Sequence, residues 1–236
     1  WHAFGPPHCV LWRKQISPSQ VRQGSVGNCW FLSALAVVAE KKYLVRQLLP
    51  HESLNESNCY QINLCLDGKW TLVIVDSSLP VVFDEDSHTS MKKTKLKGGV
   101  ALAELGNLVA SPAFAAVPDG KLWPALVEKA YAKAHGSYAQ LSGGFIAEAL
   151  SDMTGAPTET IIFGSRVDLD ELWARLMSFA EAGFLMGVAT CRGGEGLVGN
   201  HAYSVLDLFE FHDSLVGAQQ KVTDFFRTSA SPAKKK

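Results

Sequence analysis

Gln23-Gly24-Ser25-Val26-Gly27-Asn28-Cys29-Trp30-Phe31-Leu32-Ser33-Ala34-Leu35 runs from a two-glycine loop straight into an apolar stretch. The pattern predicts a helix from about Cys29 to Lys41, with Asn28 available to cap it. The residues after Trp30 are almost wholly apolar, so that helix reads as buried. Cys29 falls in its first turn, where free backbone N–H groups and the helix dipole favour a thiolate. A thiolate is the form of cysteine that attacks a carbonyl carbon. Gln23, six residues earlier, carries an amide whose NH2 can join the Cys29 backbone N–H in holding an oxyanion. A lone cysteine at the start of an apolar helix is usually a small core residue. Gln, two Gly, Asn, Cys and Trp together favour the catalytic reading.

The complementary base is sought further along the chain. Gly199-Asn200-His201-Ala202-Tyr203-Ser204-Val205-Leu206-Asp207 follows a glycine-rich loop, Arg192 to Gly199. A histidine at the entry to a strand presents its imidazole to a cleft. Neutral imidazole there takes the Cys29 proton and later returns it to a leaving amine. His2, His8, His51, His88, His135 and His212 have no comparable context. The bland reading of His201 is a surface or capped core histidine.

The rest of the chain frames these two segments. Its 236 residues carry a formal charge of −1, with 47% hydrophobic and 19% charged residues. That balance is globular and gives no basic footprint for nucleic acid. No apolar run is long enough to cross a bilayer, and no secretory signal opens the chain. The first residue is Trp1, so the chain reads as cut from a longer protein. The five cysteines (Cys9, Cys29, Cys59, Cys65 and Cys191) form no CxxC pair and no zinc spacing, which suits a reducing, cytoplasmic setting.

Strands are expected at Tyr60–Leu66 and Trp70–Val75 around an Asp67-Gly68 turn, and later at Phe184–Ala189 and Ala202–Phe209. Helices are expected at Leu122–Ala134, at Phe145–Met153, and from an Asp168 cap to Gly183 with Leu169, Leu172, Trp173, Leu176 and Phe179 inward. Residues 84–120 read as an insertion or long loop, with room for a short helix.

The Cys29 segment resembles the active-site motif of papain-like cysteine proteases, and in particular that of calpains. Phe31-Leu32-Ser33-Ala34-Leu35 is most similar to the small optic lobes branch, while Asn28 stands where many calpains have Asp. The His201 segment resembles the calpain histidine motif. Trp70 to Pro80, Leu122 to Tyr138 and Ser142 to Gly155 are similar to successive calpain elements. The resemblance covers roughly residues 11–209, with 84–120 set aside.

It implies an α+β, two-lobed papain-like core. The helix-rich N-terminal lobe, 1–155, would carry Cys29. An incomplete β-rich C-terminal lobe, 156–211, would carry His201, and 212–236 would be a disordered tail foreign to the family. It implies an intracellular endopeptidase with Cys29 as nucleophile, His201 as base and acid, and Gln23 as oxyanion donor. It raises calcium as a cofactor, since Glu148 resembles a calcium-ligand position. Glu148 reads equally well as an exposed helix carboxylate, and Gln20 stands where an acidic partner is expected.

The family orients its histidine with an Asn in an Asn-Pro-Trp segment. This chain has no Asn after Asn200 and no Trp after Trp173. The expectation is therefore a weakly active or inactive chain. A second reading comes from the tail. Gln219, Val222, Phe225 and Phe226 resemble the box that binds the sliding clamp PCNA, in which a short helical turn seats an aliphatic residue and two rings in an apolar groove. Lys234-Lys235-Lys236 would suit an acidic partner or nuclear import. This alternative is an inactive protease-derived binding protein.

Overall fold

The computed structural model describes residues 1–5, 9–12, 16–24, 27–84, 104–105, 108–164, 167–194 and 196–209. At its centre lies α1 (Cys29–Val38), in which every residue from Trp30 to Val38 is buried. An apolar sequence on all faces requires neighbours on all faces. Helix α1 meets α2 (Lys42–Leu48), α3 (Trp123–Ala134), α4 (Ile146–Thr154) and a strand pair described below. Helix α2 was not anticipated. Lys41, at its start, offers no capping side chain, and burial of Val45 and Leu48 supports its two turns.

Strands β1 (His2–Ala3) and β4 (Ser78–Leu79) form a short antiparallel pair near the N-terminus. Strands β2 (Tyr60–Leu66) and β3 (Lys69–Val75) form the expected hairpin. Asp67 and Gly68 both take positive φ, 49° and 72°, as a tight two-residue turn requires. Tyr60, Ile62 and Leu64 point inward by strand alternation. Strand β3 buries Val73 and Val75 but leaves Trp70, Leu72 and Ile74 exposed.

The stretch read as an insertion is partly sheet. Strands β5 (Val81–Asp84), β6 (Glu104–Leu105) and β7 (Leu108–Pro112) form an antiparallel sheet in the order β5-β7-β6. A 3-10 turn, Pro118–Gly120, then leads toward α3.

Helix α3 begins with Trp123, whose indole N–H donates to the buried Gln20 Oε1 at 2.7 Å. Helix α4 ends at Gly155, left-handed at φ 70°. Helix α5 (Leu169–Glu181) is capped as expected, Asp168 accepting from the N–H groups of Asp170 and Glu171. Its inward face is narrower than expected: Leu172 is buried, whereas Leu169 is 61% exposed. Last come β8 (Met186–Thr190) and β9 (His201–Val205), an antiparallel pair resting on α1. Ala202 of β9 joins the same apolar core as α1, α3 and β2. The mixture of helices and small sheets is α+β. No helix among the described residues is long and apolar enough to cross a membrane.

Candidate active site

Cys29 is the first residue of α1 and is half-buried. The preceding segment is held against residues 113–116. Gln23 bridges Ala115 in antiparallel fashion, and the Ala116 N–H donates to the Arg22 carbonyl at 2.8 Å. Gly24 makes this approach possible, because a Cβ there would lie 2.0 Å from the Phe114 carbonyl oxygen. Gln23 is thereby fixed in backbone while its side chain stays exposed. Part of the stretch read as an insertion thus forms one wall of the site.

The expected Asn28 cap does not form. Asn28 is buried instead, and its Nδ2 donates to Glu128 Oε1 of α3. The Cys29 and Trp30 N–H groups therefore receive no acceptor from that side chain and, as the first donors of α1, have none within the helix.

Glu128 also accepts the Ala115 N–H on Oε2, at 2.9 Å. Burial pushes its carboxyl up to about 8, against the lowering effect of the bonds from Ala115 and Asn28. It therefore keeps its proton at neutral pH. A carboxyl whose folded value is raised favours the fold below its unfolded value and loses that advantage as pH climbs through the folded one. Thermal stability of the wild type should fall between about pH 4.5 and about 8 on this account. Glu128→Gln should lack this slope and melt above the wild type at pH 9; equal melting curves at both ends of the range would contradict it.

Glu128 was missed from sequence because it flanks the apolar stripe of α3 and looks like a surface carboxylate. The available signal was the run of Ala125, Ala130 and Ala132 around it, small residues that let a helix be buried on nearly every side.

His201 opens β9, opposite Thr190. The loop between them is tightly folded. A Cβ on Gly199 would lie 2.6 Å from the Gly193 nitrogen, and Asn200 takes φ 50° just before the histidine. Thr190 Oγ1 donates to the His201 carbonyl at 3.2 Å, and Tyr203 Oη accepts the Val198 N–H at 2.8 Å. The imidazole stands edge-on to the Tyr203 ring, centroids 4.8 Å apart.

Strand β9 is tied to α1 by Ser204 Oγ, which donates to the Ser33 carbonyl at 2.9 Å. Ser33 lies one helical turn after Cys29, and Ser204 three residues after His201. The elements bearing the two residues are thus in direct contact. Alternation along β9 turns Ala202 and Ser204 toward α1 and groups His201 with Tyr203. Among the described residues, no hydrogen bond joins His201 to Cys29, and the imidazole makes none to another side chain.

The other thiols are distinguishable from Cys29. All five cysteines are free; Cys9 and Cys65 are buried, whereas Cys59 and Cys191 are exposed on the surface. Burial pushes the Cys9 thiol up to about 11. Beside α1 lies a cleft of about 220 Å³ lined by Trp30, Tyr131, His135, Leu141, Gly143 and Glu148. Trp30 is locked there by its indole bond to the Leu141 carbonyl at 2.9 Å, and Gly144 leaves the room its ring occupies.

Glu148 is exposed on the first turn of α4. Among the described residues, no group of three or more His, Cys, Asp or Glu could hold a metal ion. The Gln20 oxygen already accepts from Trp123. A calcium ion takes six to eight oxygen ligands, and Glu148 offers the two of one carboxylate toward them. The clamp-box residues Gln219, Val222, Phe225 and Phe226 lie outside the described residues.

A thiol at a helix start, an amide-bearing loop fixed beside it and a histidine on the strand packed against that helix are the parts of a cysteine hydrolase. The chain matches the model of the calpain family of cysteine proteases over residues 5–224 and belongs to that family. It is 35% identical over 211 residues to Calpain-type cysteine protease DEK1 of Arabidopsis thaliana, covering 85% of this chain and 9% of the relative. It is 29% identical over 213 residues to Calpain-13 of Rattus norvegicus, covering 86% of the chain and 28% of the relative. Calpain clp-4 of Caenorhabditis elegans is 32% identical over 196 residues, covering 78% of the chain and 24% of the relative. The chain thus spans from about a tenth to under a third of these relatives, and the family match continues to residue 224, across most of the clamp-like box.

Proposed function

We propose that this chain is a calpain-type endopeptidase core acting on polypeptides, with Cys29 as nucleophile, His201 as base and acid, and Gln23 as oxyanion donor. The observation that carries this reading is the Ser204–Ser33 bond, which holds the strand of His201 on the helix of Cys29. His201 takes the thiol proton, and the thiolate attacks the peptide carbonyl carbon. The resulting oxyanion accepts from the Cys29 N–H and the Gln23 amide. His201 then protonates the leaving nitrogen as the C–N bond breaks. Water, deprotonated by the same imidazole, hydrolyses the thioester and restores the thiol.

Among the described residues the imidazole rests edge-on to Tyr203 and makes no hydrogen bond to the thiol. Catalytic hydrogen bonds often close only when substrate binds. No Asn follows Asn200 in this sequence to fix the ring's tautomer, which is what a third catalytic member supplies. Turnover should therefore lie below about 1 s⁻¹, the low end of the usual enzyme range. Incubating the purified chain with an unfolded polypeptide, with and without calcium, tests the reading. New N-termini should appear slowly, and Gln23→Ala should lower kcat by about 10²-fold. Absence of cleavage in both conditions would overturn it.

A further inference from the structure

We infer that Glu128 is a positioning residue for the oxyanion site, its single carboxyl setting the loop of Gln23 and the helix start of Cys29 at a fixed spacing. The inference rests on the endopeptidase reading and adds a residue to it.

The geometry is specific. Oε1 receives the side chain of Asn28, the residue whose carbonyl accepts from Phe31 and Leu32 at the start of α1. Oε2 receives the backbone N–H of Ala115, the bridge partner of Gln23. Each arm is thus one residue away from an oxyanion donor. Six residues separate the two donors in sequence, and a tie across the fold gives their spacing a stiffness that does not depend on the intervening chain. Glu128 supplies that stiffness from α3, a helix that is itself anchored by Trp123 on Gln20. Both Glu128 and Asn28 are almost completely shielded from water, at 1% and 0% exposure, so no solvent competes for the bonds.

The protonation of the site agrees with this role. A carboxyl kept neutral by burial offers one donor and one acceptor. Among the described residues, the Asn28 Oδ1 has no hydrogen-bond partner. Amide oxygen and nitrogen are interchangeable by a half-turn of the side chain. With Asn28 turned over, the protonated Oε1 donates to Oδ1 while Oε2 still accepts from Ala115. A glutamine at 128 can make the same two bonds, its Nε2 donating and its Oε1 accepting. A methionine has the length to fill the space but makes neither.

The test separates the oxyanion site from the thiol. A peptide aldehyde forms a S–C bond to Cys29; its C=O becomes a C–O single bond, and the thiol proton ends on that oxygen, which sits between the two donors. Iodoacetamide alkylates the same sulfur by displacing iodide and places no oxygen there. Glu128→Met should weaken aldehyde binding by about 10²-fold, the scale of a displacement near 1 Å at such a site. Alkylation of Cys29, read by mass spectrometry of its peptide, should change by less than about threefold in the same variant, and Glu128→Gln should recover aldehyde affinity to within about threefold of wild type.

If Glu128→Met does not fold, Asn28→Ala carries the test, with an expected loss of about tenfold in aldehyde affinity and unchanged alkylation. A folded Glu128→Met, or failing that Asn28→Ala, with wild-type aldehyde affinity would overturn the inference alone. So would equal losses toward both reagents, which mark a general loosening of the fold. Wild-type protein that binds no aldehyde would overturn the endopeptidase reading together with it.

Discussion

Replacing Cys29 with Ala should reduce polypeptide cleavage to the rate of a protein-free blank, a loss of at least about 10³-fold, with little change in melting temperature. Three features lead to this expectation. The other thiols occur either in the core, where burial pushes Cys9 up to about 11, or at exposed positions. Cys29 alone stands at a helix N-terminus whose cap side chain is turned away. It alone has a paired amide loop beside it. The sulfur is half-buried and removes few contacts when deleted, so the cost in stability should stay within about 1 kcal/mol. Cleavage retained in Cys29→Ala and lost in Cys191→Ala would place the chemistry elsewhere.

Gly24→Ala should cost both the fold and the site. The added Cβ would sit 2.0 Å from the Phe114 carbonyl oxygen and 3.1 Å from that of Ala113. Both neighbours are backbone, and the same segment is pinned by the Ala116–Arg22 and Ala115–Glu128 bonds. Neither side can yield as a flexible side chain would. The chain must open the bridge at Gln23 or push residues 113–116 off Glu128, leaving a buried carboxyl unsatisfied. Overpacking with loss of a buried hydrogen bond is expected to destabilise by about 3 kcal/mol or more. Gly27→Ala is the control, because among the described residues nothing lies within 4 Å of a Cβ there. A Gly24→Ala protein that melts with Gly27→Ala would show that the two segments are not packed as described.

What the sequence conveyed and what it hid follow from the range of the interactions involved. Helix α1, the β2–β3 hairpin and the Asp168 cap are local: an apolar run, a turn dipeptide and an acidic N-cap each act within a few residues. The calpain resemblance was legible for the same reason, since the Cys29 and His201 segments that carry it are each short. The Asn28 cap failed because a carboxyl 100 residues away offers a buried partner in place of the local N–H groups. Strand β7 was hidden because Leu108–Pro112 is short and carries small residues; its pairing with β5 and β6 is tertiary. Leu169 was placed inward by periodicity, yet only Leu172 of that helix finds a fully covering neighbour. The relation of His201 to Cys29 is the least local feature of all. It depends on how β9 lies on α1, which no spacing in the sequence encodes.

The central claim is that Cys29 and His201 act as a pair across that seam. Its most direct test is labelling of the purified chain with an epoxide-type thiol inhibitor, site by site, in wild type and His201→Ala. We expect Cys29 to be labelled at least about tenfold faster than the exposed Cys59 and Cys191, and His201→Ala to lose that excess. Labelling of Cys29 no faster than Cys59, or an excess that persists without His201, would contradict the account.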